Sequence, residues 1–202
     1  MASALTKPRY KSYQDYLDDD SLSPERNYRL LSTGELIEVT SEADLNLIIA
    51  HVLGVALSLI ENGSLIRRIR TNSREIQVPP VGDMRVNRKP DLMVIRSEQV
   101  EAKQPAIFLD MSPPLFIAEV VSPGGENSEN YKRDYVWKRQ QYEEIGVLEY
   151  WIVDPHREQV TALVLTEGAY EGRAYDASEQ LSSGVFPALS VNVGSLLKGE
   201  LS

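Results

Sequence analysis

The chain has no cysteine among its 202 residues and only two histidines, His51 and His156. Disulfides and thiolate metal sites are therefore excluded, as is a multi-histidine zinc site within one chain. Any metal held here must take oxygen ligands, which suits magnesium, manganese or calcium. Three familiar fingerprints are also missing: no GxxxxGK[ST], no GxGxxG and no GxSxG occurs. A phosphate-binding P-loop, a Rossmann dinucleotide site and an α/β-hydrolase elbow are left without support. No segment reaches the ~18 consecutive apolar residues of a membrane span. The opening MASALTKPRYKSYQDYLDDD has no apolar signal-peptide core. These absences lead us to expect a cytoplasmic protein without a membrane partner.

Positive charge is the scarcer sign, with 21 Lys and Arg against 30 Asp and Glu and a net charge of −9. This balance argues against a broad basic footprint for nucleic acid and does not exclude a local basic patch. What is present is ordinary for a globular protein: 42% apolar and 25% charged residues. The length suits one domain with a sizeable core. We read residues 1–26, polar and acidic, as an N-terminal arm, and residues 27–202 as a single domain.

Along that domain, YRLLSTGELIEV reads as a hairpin around Ser32-Thr33-Gly34. Residues 42–61 read as a helix, with Ser41 as N-cap and Asn62-Gly63 as stop. Its apolar residues surround most of the circumference, which predicts burial on several sides. Strand-like stretches follow at 64–78, 89–96 and 115–122, then the loop SPGGENSEN. YKRDYVWKRQQYEEI reads as a second helix closed by Gly146. LEYWIVD, QVTALVL and AYEGRAY read as strands, and VGSLLKGELS as a short terminal helix. The order predicts an α/β fold, a mixed sheet flanked by helices.

Function shows where a local rule is broken, and two residues break one. Glu119 interrupts LFIAEVV, a continuous apolar run typical of a strand buried on both faces. Alternation places it on one face with Leu115, Ile117 and Val121. A carboxylate there must be paired, metal-bound or protonated unless the strand end faces water. Lys138 sits in the helical stripe of Tyr131, Tyr135, Tyr142 and Ile145. It either snorkels outward on its aliphatic stem or meets a buried carboxylate. Asp91, after Pro90, shares a strand face with Met93 and Ile95, and taken alone reads as a strand-start residue. Together, two carboxylates and one ammonium are equipment for metal-assisted phosphodiester hydrolysis. Glu42 at the start of the first helix either complements the helix N-terminus or adds a carboxylate. Arg67, Arg68, Arg70, Arg74, Arg88 and Lys89, and then Lys132, Arg133, Lys138 and Arg139, are the candidate phosphate contacts.

KPDLMVI, FIAEVVSPG and KRDYVWKRQQYEEIGVLEYWIVDP, in that order, resemble the signature blocks of the Uma-two family. That family is grouped with restriction endonucleases in the PD-(D/E)XK nuclease superfamily. GELIEV, EIQVP and FPALSV also fit, so the resemblance covers roughly residues 25–200. It implies a restriction-endonuclease-like α/β fold and cleavage of DNA with Mg2+ or Mn2+. It also implies that Asp91 and Glu119 hold the metal together with the backbone carbonyl of Val120. Where the usual pattern carries lysine, this chain has Val121, and Lys138 on the next helix matches the displaced lysine. Glu42 is carried as an accessory catalytic carboxylate. The alternative is a non-catalytic nucleic-acid-binding or structural protein that keeps the nuclease fold. Because nucleases often pair to cut two strands, a homodimer is expected; Trp137, Trp151 and the aromatic helix could supply contacts, although such residues are more often core.

Overall fold

The structure, a computed structural model, describes residues 9–23, 26–39, 44–102 and 104–201. Near the N-terminus, Ser12 caps a short helix, α1 (Tyr13–Leu17). Tyr13 and Tyr16 turn inward and both donate to the Glu75 carboxylate at 2.9 Å. The predicted hairpin forms as β1 (Asn27–Leu30) and β2 (Leu36–Val39), antiparallel, with Leu30 opposite Leu36. The first long helix is α2 (Asp44–Leu59). It ends where Asn62 and Gly63 both adopt positive φ, of 54° and 80°.

The stretch at 64–78 is not one strand. A short 3-10 turn leads into β3 (Ile69–Thr71), Asn72 breaks the chain at φ 45°, and β4 (Glu75–Gln77) leaves for another sheet. Then come β5 (Asn87–Arg88), β6 (Leu92–Val94), α3 (Ser97–Glu101), β7 (Ala106–Ile107) and β8 (Phe116–Val120). The second long helical run starts at Ser128, whose hydroxyl caps it. It comprises α4 (Glu129–Tyr131), a π-helical stretch (Lys132–Trp137) and α5 (Lys138–Ile145). Gly146, at φ 84°, closes it in the left-handed conformation that glycine adopts without a Cβ penalty. The rest of the domain is β9 (Glu149–Asp154), β10 (Gln159–Thr166), β11 (Ala169–Asp176), β12 (Gln180–Ser182), β13 (Ser190–Asn192) and α6 (Val193–Leu197).

The central sheet has six strands in the order β11-β10-β9-β8-β6-β3. Only β8 and β9 run parallel; the other neighbours are antiparallel. A three-stranded sheet, β5-β4-β7, lies beside it. The result is the mixed α/β architecture expected. Strand alternation divides the core between two faces. Leu92, Val94, Phe116, Ala118 and Val120 meet Ile49, Leu53 and Leu57 of α2. Met93, Ile95, Ile117 and Val121 meet Tyr142 of α5, with Tyr150 and Ile152 of β9. Leu115 precedes β8 and packs against the α2 side, so it does not share the Glu119 face as alternation alone suggested.

One further expectation needs correction, and Trp151 takes the core alternative. Helix α2 is not buried on several sides: Leu45, Leu47, Ile48 and Leu59 are exposed. Apolar content predicted burial, but only one side of the helix meets the sheet. Trp151 is fully buried against Phe116 and cannot form an interface. Trp137 lies over Gly82, where any Cβ would come within 2.0 Å of its Nε1.

One buried carboxylate serves the fold alone. Glu149 accepts from Trp151 Nε1 at 2.7 Å, Gly184 N at 3.1 Å, Val185 N at 2.9 Å and the Ser183 hydroxyl. It ties the loop that carries Phe186 into the core. Replacing it by alanine strands buried donors, each costing about 1–3 kcal/mol. Glu149→Ala is expected to lower urea stability by about 3 kcal/mol or more. A loss below ~1 kcal/mol would show that this loop is held by other contacts.

Candidate active site

The site lies at one end of the central sheet, on the face covered by α5. Strands β6 and β8 are antiparallel, with Leu92 opposite Ala118. Continuing that register by one step sets Asp91 opposite Glu119. The start of β6 and the end of β8 therefore lie together, and both acids point to the α5 side. The Asp91 carboxylate accepts from the backbone N–H of Val120 at 2.7 Å, which ties the two strand ends. Asp91 is 4% exposed and Glu119 2%, so Glu119 is not a rim residue facing water.

Burying such a charge requires a partner, and α5 supplies it. Lys138 Nζ lies 2.9 Å from Glu119 Oε2 and 2.9 Å from Asp134 Oδ1, with its side chain 13% exposed. The lysine meets the buried carboxylates and does not snorkel to solvent. The other Glu119 oxygen accepts from the Tyr142 hydroxyl at 2.6 Å. Burial and then the Glu119 charge push the Tyr142 pKa well up, so the phenol stays protonated and keeps donating. The Tyr150 ring meets Tyr142 edge-on at 5.0 Å, and its hydroxyl donates to the Asp134 carbonyl at 3.2 Å.

The electrostatics follow from this crowding. Burial alone lowers the Lys138 pKa, but the carboxylates of Asp134, Glu119 and Asp91 outweigh it and hold the ammonium protonated. Asp91 thus acts on the same amine as Glu119 although it lies on another strand. Burial alone raises the Asp134 pKa; Lys138 and Arg133 outweigh it and bring it below the usual value. Arg133 grips Asp134 with two donors, at 3.0 and 2.9 Å.

The π-helical stretch ends where Lys138 begins: the Lys138 N–H donates to the Arg133 carbonyl, five residues back. Such insertions recur at functional sites, because they re-aim the residues that follow. Asp134 and Lys138 both face the sheet across that transition.

The oxygen donors at these two strand ends are the Asp91 and Glu119 carboxylates and the Val120 carbonyl, which accepts from Asn46 Nδ2 at 3.3 Å. No group of three or more His, Cys, Asp or Glu suited to a metal occurs among the described residues. Two carboxylates with a carbonyl nevertheless suit magnesium, which keeps several of its own waters. The donor set therefore fits the ion, with Lys138 on Glu119 in the state seen here.

The remaining expectations fare unevenly. Glu42 lies outside the described residues. Arg88 is fully buried, donating to Gln141 at 2.7 Å and Asp83 at 2.9 Å, so it braces α5 and does not face phosphate. Lys89 donates to Asn27 at 3.2 Å. Arg70 and Arg74 flank Asn72, whose backbone N–H donates to the Asp91 carbonyl at 3.1 Å. Lys132 and Arg139 are exposed on the helical run above the site.

Asp134, Tyr142, Asn46 and Asn72 did not emerge from the sequence as site residues. Two of them left signals. Asp134 stands one helical turn before Lys138, and Asn46 is a polar residue in the buried stripe of α2. Asn72 is legible only in the fold; its buried Nδ2 has no hydrogen-bond partner among the described residues.

The sequence model of the Uma2 family, described as "Putative restriction endonuclease", matches residues 12–194. A crystal structure from Anabaena variabilis, described as a putative nuclease belonging to DUF820, shares the fold with a TM-score of 0.62. It is 14% identical and aligns over 92% of this chain and 97% of that one. At that identity the likeness concerns the fold alone. No curated protein matches the chain. Among the described residues no helix is long and apolar enough to cross a membrane.

The Asp134 pairing makes a pH-dependent contribution. A folded pKa below the usual 3.8 stabilises the protein above that value, and the gain is lost as pH falls through the folded pKa. Asp134→Asn leaves Lys138 with one direct ion-pair partner, Glu119, and is expected to cost about 3–5 kcal/mol near neutrality. The gap to wild type should shrink on acidification below pH 3.8. A gap constant with pH, measured by urea unfolding from pH 7 down to about 3, would contradict the ionic pairing.

Proposed function

The chain belongs to the Uma2 family, and on that premise we propose that it is a metal-dependent endonuclease that hydrolyses DNA phosphodiester bonds in the cytoplasm. The observation that carries this reading is the placing of Asp91 and Glu119 opposite one another on neighbouring strands, with the Lys138 ammonium paired to Glu119 and feeling the Asp91 charge. Asp91, Glu119 and the Val120 carbonyl would hold Mg2+ or Mn2+. When bound, the ion would polarise a phosphoryl oxygen and lower the pKa of a coordinated water.

The chain's own groups divide the remaining work. Hydrolysis joins the water oxygen to phosphorus while the bond to the departing sugar oxygen breaks. Lys138, held protonated by three carboxylates, would not serve as a base. Its ammonium suits orienting the water or steadying charge on a phosphate oxygen. Tyr142 and Asp134 hold the Glu119 carboxylate and the Lys138 amine in place. Asn72, whose backbone N–H donates to the Asp91 carbonyl, borders that strand end, and Arg70 and Arg74 on either side of it in the chain are candidate contacts to the nucleic-acid backbone. Glu42, which lies outside the described residues, would add an accessory carboxylate. A homodimer would offer two such sites to the two strands of a duplex.

A second reading has one observation in its favour. Both Glu119 oxygens are already engaged, one by Lys138 and one by Tyr142. On that reading the cluster is structural, and the protein binds nucleic acid without cutting it.

Nicking of supercoiled plasmid separates the two. Wild type is expected to cut with Mg2+ or Mn2+ and to stop with chelator. Asp91→Asn, Glu119→Gln and Lys138→Ala should each slow cutting by about 100-fold or more. Tyr142→Phe, which keeps the ring packing, should cost roughly 10- to 100-fold in Mn2+ affinity or rate. Equal cutting by wild type and Glu119→Gln would remove this cluster from the reaction. No cutting together with no calorimetric Mn2+ binding would select the second reading.

A further inference from the structure

Helix α2 carries two apolar stripes, and the sheet uses one. Ile49, Ala50, Leu53 and Leu57 are buried in the core. Leu45, Ile48, Val52, Val55 and Leu59 form the other, at alternating spacings of three and four. At 3.6 residues per turn it lies roughly 135° around the helix from the core stripe. Ile48 is 49% exposed and Leu59 67%, while Val52 and Val55 are half-buried between them.

This exposure is concentrated. Of the nine large exposed apolar side chains among the described residues, four belong to α2, and three of these, Leu45, Ile48 and Leu59, stand on this stripe. A contiguous patch of this kind marks an interaction surface, whereas scattered single residues do not. It also continues to either side. Leu201 lines one hollow with Val52 and Ala56, and Ile66 lines another with Val55.

The pattern favours one occupant. Alternating steps of three and four are the repeat by which one helix meshes with another. Asp44, at the very start, is the only charged residue in α2, and Glu200 is the only charged residue lining the two hollows beside it, so a strongly acidic or basic partner would find little counter-charge along the stripe. The chain itself carries a net charge of −9, so copies repel one another except where a surface is neutral. A two-fold contact must also be self-complementary, and a straight neutral apolar stripe matches its own copy. The helix is about 24 Å long, short of the ~800 Å² per partner of a standard interface. The flanking Ile66 and Leu201 extend the area.

We propose that this outer face of α2 is the interface between two copies of the chain, packed helix against helix about a two-fold axis near Val52. Val52 stands midway between Leu45 and Leu59, so it meets its own counterpart whether the helices run parallel or antiparallel. The pairing is independent of the reaction performed at Asp91 and Glu119.

Light scattering on the full chain tests the proposal. The expected mass is twice the 22.7 kDa of one copy. Ile48→Glu combined with Leu59→Glu should yield a monomer with an unchanged far-UV circular dichroism spectrum, since both side chains are exposed. The chain lacks cysteine, so Val52→Cys should oxidise to a covalent dimer much faster than Glu144→Cys, which is exposed on α5 across the sheet from α2. Wild type that stays monomeric at its highest soluble concentration would overturn the proposal. So would a dimer that survives the double glutamate variant, or a Val52→Cys chain that cross-links no faster than the control. A monomer that pairs only once residues 1–8 are deleted would make that segment the occupant and overturn it equally.

Discussion

The structure depends on a negative charge placed inside an apolar layer. Glu119 stands on the face of β8 that also carries Ile117 and Val121, under a helix and beside a tyrosine-rich strand. An unpaired carboxylate in such a place is so costly that the strand would not stay buried. Lys138 and Tyr142 each take one oxygen. Asp134 then compensates the lysine, Arg133 compensates Asp134, and Tyr150 fixes the backbone around Asp134. The helical run must reach the sheet at one height and rotation for all these contacts to close together.

That requirement explains features that otherwise look incidental. The π-helical stretch ends at Lys138 and sets the rotation of the turn that delivers it. Gln141, one turn further, bonds to the Pro79 and Arg85 carbonyls and accepts from Arg88. The helix is thereby pinned to the smaller sheet as well as to the central one. Asp91 enters through the backbone, accepting from Val120 N–H at the point where β6 and β8 part. Polar networks in a low-dielectric interior strengthen one another only when every member is satisfied. This one is held from two strands and one helical run. An arrangement so constrained suits a catalytic constellation, which needs its groups fixed before substrate arrives. Holding them costs stability, because burying ion pairs does not by itself favour folding.

Glu119 and Lys138 were visible in the sequence because each broke a periodicity, two-residue in the strand and helical in the helix. Asp91 broke no rule; a resemblance to a family brought it forward, and the antiparallel register then set it opposite Glu119. Asp134 and Tyr142 were passed over because an aspartate on a charged helix and a tyrosine in an aromatic stripe fit their local patterns. The misreading of α2 has the opposite origin. Its apolar residues were counted correctly, but counting does not say which side has a neighbour. Leu45, Ile48 and Leu59 remain exposed in the single copy. The arginine run was misread in part for the same reason: Arg88 is as cationic as Arg70, yet it lies inside, against Asp83 and Gln141.

By itself the sequence determined what is local or compositional. Without cysteine and with only two histidines, it restricted any metal to oxygen ligands. Its periodicities set most helices and strands, and the stops at Asn62-Gly63 and Gly146 follow from backbone conformations that few residues adopt. The tertiary structure decided which charges meet. Asp91 reaches Val120 across 29 residues and Lys138 reaches Glu119 across 19. Those meetings depend on strand register and on helix rotation against the sheet, which are settled by packing between distant segments and leave no local trace in the chain.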